Sequence, residues 1–180
     1  SATTPPPYCV GELASLLVAT PASSPTGTLY DLVWYDTDGI TILSGGAPTP
    51  LTITAGTTTY YVAQSNTTTG CESPQTPIIV TVNGRPAAPA TSATVPYCKN
   101  EPIPPPLTAT FSLGNVLVWY DQSFSVLPSA PTPGTNIVGS TTYYVQQKDI
   151  STQCLSEPAT AITVIVSDLP SPPLANDKEY

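Results

Sequence analysis

The four cysteines are the residues of this sequence with the widest choice of chemistry, because a thiol can form a disulfide, bind a metal or act as a nucleophile. The 180-residue chain contains no histidine, which excludes Cys–His and Ser-His-Asp sites and any imidazole metal ligand. An even number of cysteines without a C-x-x-C spacing favours disulfides in an oxidising, extracellular compartment, and buried free thiols are the alternative. The four are Cys9, Cys71, Cys98 and Cys154.

A calcium site is the second chemistry that the sequence raises. The segment Asp36–Gly39 begins like a calcium loop, but the ligand pattern of an EF-hand does not follow. The corresponding segment Asp121–Phe124 lacks the second carboxylate. A hairpin turn explains Asp-Gly better, so Asp36 and Asp38 are only a weak metal candidate and no cofactor is predicted.

Acid–base catalysis is the third possibility, and Glu12 and Glu101 are its candidates because each follows a Tyr-Cys pair at the same spacing. Glycoside hydrolysis needs two carboxyl groups about 5–9 Å apart in a cleft. Acidic residues are few, and none forms a motif with Tyr or Asn. We interpret both glutamates as solvated surface groups and predict that the protein is not an enzyme.

The composition excludes other classes of protein. Lys and Arg number 4 against 12 Asp and Glu, for a net charge of −8, so the chain lacks a basic surface for nucleic acid. No apolar run approaches the roughly 18 residues that insertion across a membrane requires. With 23 prolines, 9% charged residues and 40% hydrophobic residues, the chain should fold and should contain few helices. An all-β fold is predicted.

An internal repeat organises the whole chain. Several motifs recur in the same order: Tyr8-Cys9 as Tyr97-Cys98, Val33–Asp36 as Val118–Asp121, Ala47–Pro50 as Ala130–Pro133, Thr58–Val62 as Thr141–Val145, and Cys71 as Cys154. Such a repeat predicts two homologous domains at residues 1–83 and 84–167. Residues 168–180 are expected to be a linker and the start of a further repeat, in which Tyr180 takes the place of the Tyr before the Cys.

Each repeat has the pattern of a β-sandwich. Apolar residues alternate with a period of two, short strands are separated by Gly- and Asn-containing turns, and the order is Cys…Trp…Cys. These features predict two tandem immunoglobulin-like sandwiches, with a further candidate strand at Leu13–Ala19. The core residues are expected to be Trp34, Trp119, Tyr60 and Tyr143. The opposite strand face is predicted to be wetter and to offer possible ligand contacts at Tyr61 and Tyr144.

One disulfide per repeat follows from this arrangement. The expected pairs are Cys9–Cys71 and Cys98–Cys154, each tying the start of a repeat to the loop before its last strand. Closing a loop of about 60 residues would stabilise a small domain by roughly 4 kcal/mol.

The ordered motifs, from Tyr-Cys-x-Gly/Asn-Glu through Trp-Tyr, Ala-Pro-Thr-Pro and Gly-x-Thr-Thr-Tyr-Tyr-Val to the second Cys, resemble the immunoglobulin-like repeat of giant surface adhesins of gliding bacteria, which are exported by type IX secretion. The resemblance covers both repeats. It implies structural stalk repeats in a secreted, filamentous adhesin at the bacterial cell surface, with a role in adhesion and gliding motility.

The partners expected from this reading are neighbouring repeats of the same chain and a surface polysaccharide. Two alternatives remain open, a polysaccharide-binding module and accessory domains of a secreted hydrolase.

Overall fold

The computed structural model describes three stretches of the chain, residues 1–22, 29–102 and 104–173. Within them the regular structure is β-strand, and no helix occurs. The chain divides into two units, Ser1–Arg85 (unit 1) and Pro86–Tyr180 (unit 2). The expected beginning of a third repeat, from Leu174 to Tyr180, lies outside the described residues.

Unit 1 is built on a four-stranded sheet and a separate strand pair. Its strands are β1 (Ala2–Thr3), β2 (Tyr8–Cys9), β3 (Val18–Ala19), β4 (Tyr30–Tyr35), β5 (Gly56–Asn66) and β6 (Thr76–Asn83). The main sheet has the order β2-β6-β5-β4, and β1 pairs with β3. Strand β2 runs parallel to β6, while the other neighbours are antiparallel.

The core of unit 1 lies on one face of this sheet. On β6 the alternating residues Ile78, Val80 and Val82 are buried, as the period-two pattern requires. Trp34 and Tyr60 belong to the same cluster.

Unit 2 repeats the arrangement with one more strand in the sheet. Its strands are β7 (Thr94–Cys98), β8 (Asn115–Tyr120), β9 (Val126–Leu127), β10 (Gly139–Asp149) and β11 (Thr160–Ser167). The sheet order is β7-β11-β10-β8-β9, with β7 parallel to β11. Trp119, Val145 and Ile162 are buried together, and Tyr143 is half-buried against them.

The predicted strand Leu13–Ala19 is largely wrong, because only Val18 and Ala19 are in a strand. Before this short strand, the segment is held by a backbone bond from Leu17 N–H to the carbonyl of Pro48 (3.0 Å). In unit 2, Leu107 N–H donates in the same way to Pro131 (2.9 Å). The second residue of each Ala-Pro-Thr-Pro motif is thus the anchor for this segment. Both Leu17 and Leu107 are buried.

The two cysteines of unit 1 lie at opposite ends of its sheet. Cys9 is level with Asn83, at the C-terminal end of β6, because β2 runs parallel to β6. Cys71 follows the far end of β5, where its carbonyl accepts a bond from Asn66 N–H (2.9 Å). Strand β5 has 11 residues, so it is roughly 35 Å long at about 3.3 Å per residue. A disulfide needs Cα atoms within about 7 Å, so the predicted pair Cys9–Cys71 is wrong.

Unit 2 separates its cysteines in the same way. Cys98 is level with Ser167 at the C-terminal end of β11, and the carbonyl of Cys154 accepts a bond from Asp149 N–H (2.9 Å) at the far end of β10. The predicted pair Cys98–Cys154 is therefore wrong as well. Cys9 and Cys154 are disulfide-bonded, whereas Cys71 and Cys98 are exposed free thiols.

Candidate functional site

The two glutamates considered for catalysis close the turn after each Tyr-Cys pair. The backbone N–H of Cys9 donates to a carboxylate oxygen of Glu12 (2.9 Å), and Cys98 N–H donates to Glu101 at the same distance. Each glutamate N–H donates back to the carbonyl of that cysteine, at 3.0 and 3.1 Å. These contacts explain both glutamates as turn-forming groups.

Asn100 can replace the glycine of this turn because of its backbone conformation. Gly11 has a φ of 79° and Asn100 a φ of 60°, so both are left-handed. Asn adopts this conformation more readily than most residues with a side chain. The sequence difference between the repeats therefore leaves the turn unchanged.

A buried threonine in each unit fastens the same turn to the loop after Ala-Pro-Thr-Pro. The hydroxyl of Thr52 donates to the carbonyl of Glu12 (2.6 Å), and that of Thr135 donates to Glu101 (2.8 Å). In return, Gly11 N–H and Asn100 N–H donate to the carbonyls of these two threonines. Sequence analysis missed the threonines, although they occupy matching positions just after the repeated motif.

The weak metal candidate is a hydrogen-bonded turn. One carboxylate oxygen of Asp38 accepts bonds from Ile40 N–H and Thr41 N–H (both 2.8 Å), and the other accepts from the Thr41 hydroxyl (2.6 Å). These bonds, led by the Thr41 hydroxyl, lower the pKa of Asp38. Asp36 accepts from Thr37 N–H (2.7 Å). Across the described stretches, no three Cys, Asp or Glu side chains are grouped as metal ligands.

The hairpin tip after the long strand is capped by a side chain that differs between the units. In unit 1 the amide oxygen of Asn66 accepts bonds from two backbone N–H groups, at 2.9 and 3.1 Å. Asp149 takes the same place in unit 2, where its carboxylate accepts from Ser151 N–H (2.8 Å), the Ser151 hydroxyl (2.6 Å) and Thr152 N–H (2.8 Å). The Ser151 hydroxyl is the main reason that the pKa of Asp149 is lowered to about 2.

The outer strand face of unit 2 carries an aromatic cluster. Tyr120 and Tyr144 are directly opposite each other on β8 and β10. The ring of Phe124 stacks on Tyr120, with centroids 4.8 Å apart, and lies against Tyr144 at 4.9 Å. Phe124 is 51% exposed, so its ring is the outermost of the three.

Phe124 holds a backbone conformation that disfavours a large side chain. Its φ is 62°, which costs about 1–2 kcal/mol for a residue with a Cβ. The corresponding residue of unit 1 is Gly39, with a φ of 67°. Both residues close their turn with the same backbone bond. Gly39 N–H donates to the carbonyl of Asp36 (2.9 Å), and Phe124 N–H donates to the carbonyl of Asp121 (3.0 Å).

The same face of unit 1 is polar. Tyr61 is opposite Tyr35, and the Tyr35 hydroxyl donates to the Glu72 carboxylate. That bond is the largest cause of a raised pKa for Tyr35. The Gln75 amide donates to the carbonyl of Gly39 (3.0 Å), which holds the turn beside the Tyr61 ring. The structure therefore places Tyr61 beneath a turn and Tyr144 beneath Phe124.

The comparisons with known proteins agree with this framework. A family model described as "Ig-like domain CHU_C associated" matches residues 1–84 and, separately, residues 86–167. The chain belongs to this family. Its immunoglobulin-like repeats therefore correspond closely to the two units of the structure. No curated protein matches the chain.

Several solved structures have a distant likeness to these immunoglobulin-like repeats. The fibronectin(III)-like modules of Clostridium thermocellum CbhA are 18% identical, with 98% of this chain and 99% of that chain covered and a TM-score of 0.43. Drosophila N-cadherin EC1-3 is 13% identical over 94% of this chain and 66% of that chain, with a TM-score of 0.34. Bacteroides ovatus SGBP-B, solved with a mixed-linkage heptasaccharide, is 14% identical over 87% of this chain and 42% of that chain, with a TM-score of 0.29. Similarity at this level indicates no function.

The described residues contain no helix of the length and hydrophobicity needed to cross a bilayer.

Proposed function

We propose that this chain is a pair of structural repeats from the stalk of a secreted bacterial cell-surface adhesin that acts in gliding motility and has no catalytic role. The observation that carries this proposal is that the repeated motifs make the same structural contacts in both units. Glu12 and Glu101 close the same turn, and Pro48 and Pro131 anchor the same segment. Residues repeated for such reasons serve the framework of a module rather than a reaction.

The charge of the chain fits an extracellular array. Four Lys and Arg against twelve Asp and Glu leave a net charge of −8. Uncompensated carboxylates repel neighbouring filaments at low ionic strength. Unit 1 has its one basic side chain at its end, where Arg85 donates to the carbonyl of Val10 (2.6 Å).

The proposal is tested in the bacterium that encodes the chain. Antibodies raised against the 180-residue protein should label intact cells, while antibodies against a cytoplasmic protein label only permeabilised ones. Deleting the gene should slow spreading over a surface and reduce attachment, and restoring the gene should reverse both defects. Labelling that requires permeabilisation, or normal spreading without the gene, would contradict the proposal.

A direct role in holding polysaccharide is a second candidate, and the Phe124 cluster is what favours it. The exposed ring occupies a position where Gly would be unstrained, as Gly39 is in unit 1. Side chains kept in a disfavoured conformation are more frequent at binding sites than elsewhere. The flat apolar face of an aromatic ring is also a surface on which a sugar ring can pack.

Unit 2 provides a matched control for this candidate. Phe111 is 53% exposed, almost as much as Phe124, and is not part of the ring cluster. On an array of bacterial and plant polysaccharides, saturable binding should be lost at least tenfold in Phe124→Ala and kept in Phe111→Ala. Equal binding by both variants, or no binding by the unmodified protein, would remove the candidate.

A further inference from the structure

The four cysteines fall into two classes according to the end of the sheet that they occupy. Cys9 and Cys98 form the strand-end class, in which each lies beside the last residue of the final strand of its unit. Cys71 and Cys154 form the hairpin-tip class, in which each carbonyl closes the turn after the long strand. Every unit therefore presents one cysteine of each class at opposite ends.

The bonding state of the cysteines divides each class in half. Cys9, of the strand-end class, and Cys154, of the hairpin-tip class, are disulfide-bonded. Their repeat equivalents Cys98 and Cys71 are free thiols and exposed. Cys98 has the same backbone setting as the bonded Cys9, and Cys71 has the same setting as the bonded Cys154. Both free thiols therefore occupy positions where this repeat forms disulfides.

From this we propose that Cys98 of one molecule forms a disulfide with Cys71 of another copy, so that the repeats are joined end to end by covalent bonds. The pairing unites one strand-end cysteine with one hairpin-tip cysteine, and each of these two classes contains a bonded cysteine. Neither free thiol can pair with the other cysteine of its own unit, because the length of β5 or β10 separates the two ends of that unit. The inference concerns how repeats assemble and does not depend on the adhesive role proposed above.

The reaction is a two-step thiol–disulfide exchange with a small disulfide as the oxidant. The thiolate of Cys98 attacks oxidised glutathione, which gives a mixed disulfide and releases one reduced glutathione. The thiolate of Cys71 on a second molecule then attacks the protein sulfur of that mixed disulfide and releases the second glutathione. Two protein thiols are oxidised, one disulfide oxidant is reduced to two thiols, and the two protons lost by the protein are taken up by the glutathione thiolates.

The test uses the whole 180-residue chain in a glutathione redox buffer. Non-reducing gels should show a ladder of multimers that collapses to monomer on reduction. Mass spectrometry of the digested ladder should find a peptide in which Cys98 is joined to Cys71. A protein that stays monomeric, or one whose Cys71 and Cys98 become bonded within a single molecule, would overturn the proposal.

Two single variants distinguish end-to-end pairing from pairing of like cysteines. We expect Cys71→Ser and Cys98→Ser to stay at least tenfold less cross-linked than the unmodified chain when each is incubated alone. Mixed together, they should give dimers and nothing larger, because each molecule then supplies one of the two required thiols. Dimers formed by either variant alone would show like-with-like pairing and would overturn the proposal. Unchanged melting of both variants checks that these exposed substitutions leave the fold intact.

Discussion

The two units share a framework and differ in what they place on its outer face. Both close the turn after Tyr-Cys with a glutamate and bury one tryptophan in a separate cluster. At one left-handed turn position, however, unit 1 has Gly39 and unit 2 has Phe124. In unit 1 one tyrosine of the neighbouring pair, Tyr35, donates to Glu72, and Gln75 holds the adjacent turn. In unit 2 the tyrosine pair lies under a third ring. The contrast indicates that the core and the closing turns define the repeat, and that the exposed turn beside β4 or β8 is free to change its chemistry.

The strongest test of the comparison removes the shared core residue from one unit at a time. Trp34 and Trp119 are each 4% exposed, and replacing a buried Trp by Ala costs about 3–5 kcal/mol. Calorimetry combined with per-residue hydrogen exchange should show that each substitution destabilises its own unit and leaves the other within about 0.5 kcal/mol. Equal loss in both units would contradict the view that the clusters are independent.

The turn where the units differ gives the next largest effect. Phe124→Ala keeps the strained conformation and loses two ring contacts, so unit 2 should lose about 1–3 kcal/mol. Phe124→Gly loses the same contacts but relieves about 1–2 kcal/mol of strain, so it should be the less damaging change.

The control is the equivalent turn of unit 1, where a substitution adds a side chain to the left-handed glycine. Gly39→Ala should cost about 1–2 kcal/mol, because Gly39 has a φ of 67°, a conformation that residues with a Cβ disfavour. Chemical denaturation of all three variants measures these differences. A Phe124→Ala protein more stable than Phe124→Gly would show that the backbone there is not strained.

At the turn that both units close with a glutamate, we expect a smaller loss of stability, and the same loss in each unit. Glu12→Ala and Glu101→Ala each remove the side-chain acceptor of a cysteine N–H, a change comparable with losing a helix cap, about 1 kcal/mol. Denaturation midpoints assigned to each unit should fall by the same amount. A loss confined to one variant would mean that the two turns are not equivalent.

The smallest effect is a pH dependence that only unit 2 should have at its hairpin tip. The pKa of Asp149 is lowered to about 2, so its ionised form stabilises the folded state above the ordinary Asp pKa of about 3.9. This contribution is lost as the pH falls from about 4 to about 2. Asp149→Asn should keep the turn, as Asn66 does in unit 1, and should make unit 2 melting less sensitive to acid in that interval. An unchanged acid dependence of melting in Asp149→Asn, or an ordinary pKa for the Asp149 carboxyl in an NMR titration of the unmodified chain, would contradict the assignment.

Strand periodicity and the repeat itself revealed most of the framework. The alternation in Thr76–Asn83 predicted which residues face the core, because a half-buried strand has a period of two. The aligned repeats also paired Gly39 with Phe124, although only the structure shows that both are left-handed. Hydrogen bonds such as that from Thr52 to Glu12 join residues 40 apart in the sequence, and no local pattern reveals such contacts.

The cysteine pairing failed for a specific physical reason. Order along the chain places Cys9 at the start of the repeat and Cys71 before its last strand, which suggested one shared end. Strand β2 runs parallel to β6, so Cys9 lies where the last strand finishes and not where it begins. Strand direction depends on the tertiary fold, and local sequence does not encode it.

The end-to-end assembly requires that each unit holds its two cysteines at opposite ends and cannot join them. Alkylation of the monomeric chain before it meets any oxidant or reductant, when the end-to-end disulfide has not yet formed, followed by peptide mapping, tests this separation directly. We predict that Cys71 and Cys98 are alkylated, that Cys9 and Cys154 are protected, and that no peptide joins Cys9 to Cys71. Recovery of Cys9–Cys71 or Cys98–Cys154 as the main crosslink would contradict the sheet geometry and the end-to-end assembly inferred from it.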